Sequence, residues 1–167
     1  TIKLINDNYP IILTPTLINK KYNINVSCDI LIKKRLFIQI FKDIQNINLD
    51  SMEDNIYLII NIVPETIHFK SDCKTLQKNS IIDFTEACLY TFNSALKQYI
   101  HRCDYGFIFG KSYKHKNNLL EKKKNIGLVQ FYDNIRWKII NARDWLLRLR
   151  KNNYRIINYK PPCIELF

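Results

Sequence analysis

A mixed α/β domain, with helices packed on a central sheet, is the fold class this chain predicts. Three observations carry that reading. Short β-like apolar runs come first, at Ile11–Ile18, Ile24–Lys33 and Tyr57–Val63. A long amphipathic stretch follows at Ile82–Ile100. Two more β-like runs, Tyr105–Gly110 and Ile126–Phe131, then precede a second amphipathic stretch. Strands, helix, strand, strand, helix is an order that a sheet with helices against it satisfies.

Taken in order, Thr1–Asp7 reads as the tail of a helix. Ile11–Ile18 and Ile24–Lys33 read as two strands joined at a polar turn, Asn19-Lys20-Lys21. Arg35–Ile44 fits a strand or a helix, and the polar, acidic Gln45–Asn55 reads as a surface loop. Tyr57–Val63 (YLIINIV) is the central strand, an Ile-rich run of the kind buried on both faces. Pro64 then removes a ladder donor, and Glu65–Phe69 continues as an extended edge segment. Ile82–Ile100 is a helix capped by Ser80 or Asp83, with Ala87, Leu89, Tyr90, Phe92, Leu96 and Tyr99 as packing residues. The strands YGFIFG and IGLVQF flank a basic loop carrying Lys111, Lys114, His115, Lys116, Lys122, Lys123 and Lys124. Asp133 caps a last helix to about Arg150, with Ile135, Ile139, Ala142, Leu146 and Leu149 as its apolar stripe. Arg136, Arg143, Arg148 and Arg150 fall on its other side.

The 167 residues suit a single domain, 1–167, and the 47% hydrophobic content excludes a disordered chain. A net charge of +11 points to a polyanionic partner, nucleic acid and DNA in particular. The excess of Ile, Asn and Lys also fits an AT-rich genome, which raises Lys for codon reasons alone. Tyr113 and His115, set among the lysines, are candidates for stacking on bases. The five cysteines are odd in number and form no C-x-x-C pair, which predicts reduced thiols rather than disulfides or structural zinc. No apolar run reaches the ~18–20 residues of a membrane span, so no membrane partner and an intracellular location are expected. A start at Thr1 and a proline-broken end, Pro161-Pro162, predict a piece of a longer protein.

The chemistry centres on two polar residues in apolar strands. Asp29 lies in NVSCDILIKK and Asn61 in YLIINIV. An acid embedded in an apolar strand is costly unless it is paired or binds something. Adjacent strands that each carry one polar group at the same depth are the frame of a metal-dependent nuclease site.

From about Tyr9 onward the chain resembles the PD-(D/E)xK (RecB-like, restriction-endonuclease-like) nuclease domain of large DNA viruses. The likeness lies in Val26–Lys33, Tyr57–Phe69, Ser71-Asp72-Cys73-Lys74-Thr75-Leu76, Glu86–Leu96 and Phe107-Ile108-Phe109-Gly110-Lys111. It implies a restriction-endonuclease-like mixed sheet flanked by helices, and Mg²⁺ or Mn²⁺ held by carboxylates beside a lysine. The departures fall on that chemistry. Asn61-Ile62-Val63 stands where the family has Asp-x-Lys, and Cys88 and Phe92 stand where it has Gln and Tyr. Only Asp29 matches a catalytic and metal-binding position. In active relatives an upstream helix often contributes a Glu to the metal site, and no Glu precedes Glu53.

The resemblance therefore implies a degenerate nuclease domain, without a cofactor, that binds nucleic acid in a host cell or virion. Its binding residues are expected to be Lys74, Lys111, Lys114, Lys116, Lys122, Lys123, Lys124 and Arg143. Residues 61, 63 and 65 alternate onto one face of a regular strand, so Glu65 is a candidate displaced carboxylate beside Asp29. With it the chain would be an active Mg- or Mn-dependent deoxyribonuclease. A structural or protein-interaction domain is the third reading. Asp29 also has a plainer reading as a structural acid bonded to backbone, Glu65 as a solvated acid and His68 as structural.

Overall fold

The computed structural model describes residues 1–19, 24–43, 56–72, 75–100, 105–116, 118–120, 126–130, 137, 140–142, 144–145, 147–148 and 151. The loop expected at 45–55, Lys74, Lys122–Lys124, Asp133 and Arg143 lie outside them. The chain divides into two compact units, Thr1–Gln130 and Phe131–Phe167. In the second unit the described residues between 137 and 151 are helical, as the apolar stripe predicts.

The first unit opens with helix α1 (Ile2–Asn6), then strands β1 (Ile11–Leu13), β2 (Thr16–Asn19), β3 (Ile24–Ser27) and β4 (Ile30–Lys33). Helix α2 (Lys34–Ile40), strand β5 (Tyr57–Phe69) and helix α3 (Ser80–Leu96) follow. Strands β6 (Tyr105–His115), β7 (Asn118–Leu120) and β8 (Gly127–Gln130) complete it. One sheet runs β1-β4-β5-β6-β7, with β8 also on β6, and β2 and β3 form a second, two-stranded sheet. The architecture is a mixed central sheet with helices against it. β4 and β5 are antiparallel, whereas β5 and β6 are parallel and joined through α3.

The two predicted N-terminal strands are each broken in two. The breaks face one another at Thr14-Pro15 and Cys28-Asp29. Across them Thr14 donates its N–H to the Asp29 carbonyl (2.8 Å) and Cys28 donates to the Pro15 carbonyl (3.3 Å). The φ of Thr14 is 44°, left-handed backbone that a β-branched residue adopts at a cost. The hairpin thus turns a corner, its outer half leaving the main sheet for the second.

The ambiguous stretch after β4 is the helix α2, and its Phe37 is fully buried. Phe37 packs with Ile32, Leu58, Ile60, Phe107 and Ile126 on one face of the sheet. No α3 residue belongs to that cluster; α3 contacts β5 and β6 and covers the other face. The N-cap of α3 is Asn79, whose side chain accepts from the Ile82 N–H at 2.8 Å, and not Ser80 or Asp83. Its position before the first helical turn lets the amide oxygen reach an orphan donor.

Tyr57–Ile60 are buried on both faces, as the apolar run predicts. The strand then continues through Pro64 to Phe69. Its register with β6 slips there: Val63 pairs with Gly110, but Thr66 pairs with Ser112. Three residues on β5 span two on β6, a bulge at the position where proline has no N–H to give. The basic segment after Gly110 is also strand rather than loop. Lys111 to His115 extend β6, and the ladder partners of the outer part of β5 supply the reason. Tyr113 is buried at 3% exposure and cannot stack on a base. Its hydroxyl folds back on its own strand, between Gly110 N–H (3.2 Å) and the Ile108 carbonyl (3.4 Å).

Gly110 is where the bulge comes closest to β6. A Cβ there would lie 2.6 Å from Ile67 Cγ1 and 3.0 Å from the Glu65 carbonyl oxygen. Gly110→Ala is therefore expected to lower stability by about 1–3 kcal/mol in urea unfolding, as overpacking does. A variant as stable as the parent would show that the bulge yields freely.

Candidate functional site

Asp29 stands at the corner where the hairpin leaves the main sheet. In the β4–β5 register Ile30 lies opposite Ile60, so Asp29 comes next to Asn61. Each side chain accepts a hydrogen bond from the backbone of the other segment. The Asp29 N–H donates to Asn61 Oδ1 at 3.2 Å, and the Ile62 N–H donates to Asp29 Oδ2 at 2.6 Å. Each side chain satisfies a backbone donor that the broken ladder leaves over. A carboxylate accepting from an N–H makes a charge-assisted bond, stronger than a neutral one.

Two cysteines feel this charge. The Cys28 thiol is buried and donates to the Ile30 carbonyl at 3.5 Å. Burial, and then the charge of Asp29, push its pKa up. Cys88 on α3 is pushed up by the same causes in the same order. Asp29 pairs with Asn61, and its charge reaches Cys88 on α3, so three positions that the resemblance singles out come together. Both thiols are held in the neutral form, which is unreactive as a nucleophile.

Val63 is 5% exposed and belongs to the core. Glu65 does not join the others. The register with β6 slips between Val63 and Thr66, and Glu65 is exposed within that bulge. The expected displaced carboxylate is misplaced for this reason. A hard divalent cation needs several anionic oxygens directed at one point. Asp29 Oδ2 and Asn61 Oδ1 each accept from backbone instead, and among the described residues no three His, Cys, Asp or Glu side chains are placed to hold a metal. The described residues do not fit the Mg²⁺ or Mn²⁺ that the resemblance implies.

The remaining candidates lie elsewhere. Lys111 and Lys116 are exposed and Lys114 is half-buried, all on the outer end of β6 and the turn after it. His68 is exposed and pairs in register with Lys114. Asp72 accepts from the N–H of Thr75 at 2.8 Å and from its hydroxyl. A cross-strand hydroxyl pair, Thr66 Oγ1 to Ser112 Oγ at 2.7 Å, was not legible in the sequence. Its signal, Pro64 in a strand, marks an irregularity without giving its direction. A separate open cleft of about 580 Å³, lined by Ile5, Asn8, Tyr57 and Tyr99 among others, contains neither Asp29 nor Asn61.

Asn61→Asp is expected to cost about 1–2 kcal/mol at neutral pH, because two ionised carboxylates would then face each other. The folded pKa of one rises above its unfolded value, so the penalty holds above that pKa and fades as pH falls through it. Thermal melts at pH 7 and pH 4 measure this; equal losses at both would exclude mutual charge as the cause. Asp29→Asn keeps the acceptor but removes the charge, and is expected to speed alkylation of Cys88 at pH 8. Peptide mass mapping after iodoacetamide treatment reads that rate, and no change would place Cys88 beyond the reach of Asp29. No protein-family model matches the chain and no curated protein matches it, so the site is known from its own residues.

Proposed function

We propose that this domain binds nucleic acid, DNA foremost, on a restriction-endonuclease-like frame whose metal site has been replaced by internal hydrogen bonds. The observation that carries the reading is the pair of backbone hydrogen bonds that the Asp29 and Asn61 side chains accept. Where the nuclease resemblance calls for two carboxylates aimed at an ion, each polar side chain here bonds the other strand's backbone. Val63, at the position of the lysine, is core. Removing a charged ligand and a cation together abolishes far more than the ~10²–10³ in rate that one electrostatic group supplies.

Support for binding comes from charge. The chain carries a net +11, and Lys70, Lys111 and Lys116 are exposed around the outer β5–β6 ribbon. Cations of this kind gain affinity by releasing counterions from phosphates, without reading sequence.

The test pairs cleavage with binding, on the full chain. End-labelled single- and double-stranded DNA should stay intact in Mg²⁺ and in Mn²⁺. Fluorescence anisotropy should show binding that weakens at least about tenfold between 50 and 200 mM salt. Replacing Lys111 and Lys116 with Gln should lower the salt slope by about 1.5–2 on duplex DNA. Cleavage lost in Asp29→Ala would overturn the replaced-site reading in favour of an active deoxyribonuclease. Absence of binding at low salt would leave a structural or protein-interaction domain.

A further inference from the structure

Paired residues of neighbouring strands point to the same side of a sheet. Beyond the bulge, Thr66 with Ser112 and His68 with Lys114 therefore form two successive rungs on one face. The two hydroxyls bond each other at 2.7 Å, and either can be the donor. Whichever one donates, the hydrogen of the other stays free to point outward. The next rung adds one ammonium and one imidazole, and Lys111 and Lys116 stand exposed on the same strand end. Thr66, Ser112 and Lys114 are half-exposed and His68 is exposed, so these rungs are open to solvent. They lie beyond the bulge, whereas Asn61 lies before it.

Hydroxyl donors flanked by cations suit an anion with several oxygens, and the excess positive charge of the chain makes a polyanion the occupant that fits. We infer that the phosphodiester backbone of nucleic acid lies across the Thr66–Ser112 and His68–Lys114 rungs, away from the Asp29–Asn61 pair. The inference rests on the nucleic-acid reading above and places the contact. Glu65, exposed in the adjoining bulge, is the one described acid within the ribbon and opposes the ligand.

The experiment is an anisotropy titration of the full chain with a labelled oligothymidylate and a labelled duplex, at about 50 mM salt and upward. Lys114→Gln is expected to weaken binding about five- to tenfold and to lower the salt slope by about 0.7 on the single strand. The Thr66→Val, Ser112→Ala pair should weaken it about three- to tenfold with the slope unchanged, because the lost groups are neutral. Glu65→Gln should tighten it, the opposite sign. Circular dichroism melts check folding of the hydroxyl pair; the exposed His68→Gln, expected to weaken binding by removing the imidazole, serves if that pair does not fold. A parent that binds while Lys114→Gln, His68→Gln and Glu65→Gln bind like it would overturn this placement and leave nucleic-acid binding standing. A parent that binds neither probe would overturn both.

Discussion

The missing N–H of Pro64 governs the outer half of the sheet. A regular parallel ladder would place Glu65 beside Ser112's rung; the slip places Thr66 there instead. Ile67 and Phe69, buried at 1% and 3%, keep to the side of Val63, since a Cβ on Gly110, the partner of Val63, would meet the Ile67 side chain. One absent donor thus decides which polar residues meet across the ribbon.

At the inner end the governing term is the corner of the hairpin. Bending the chain at Thr14-Pro15 and Cys28-Asp29 frees the Asp29 N–H from the ladder, and Asn61 receives it. An aspartate at 61 would repel Asp29 and would call for a cation between them. Asparagine needs none, because an amide oxygen accepts the same bond without charge. The buried Cys28 and half-buried Cys88 fit this balance, since burial and the charge of Asp29 both push their thiols up.

Much of this was legible in the sequence, for local reasons. The runs YLIINIV and YGFIFG declare themselves as strands because their apolar density needs no partner to be recognised, and the spacing of Leu89, Phe92 and Leu96 does the same for α3. The pairing of Asp29 with Asn61 was also legible, as two polar residues at like depth in neighbouring strands. What escaped was set by tertiary structure. Lys111–His115 read as a loop because lysine is a poor strand former, yet β5 supplies a ladder that overrides propensity. The break at Cys28-Asp29 carries no glycine or proline of its own; its cause is Pro15 on the opposite strand. Thr66 and Ser112 meet only through the slip, and no pattern along one strand encodes a register between two.

The fold of Tyr113 over its own strand has a bearing on how the protein behaves in a crowd. β7 pairs with the end of β6 and β8 with its beginning, so among the described residues the stretch between them faces no strand on that side. Exposed strand edges invite other chains to pair with them. Here the phenol of Tyr113 already holds the Gly110 N–H and the Ile108 carbonyl. A chain this rich in isoleucine, with long strands, keeps a gap in its sheet without offering it as a template for aggregation.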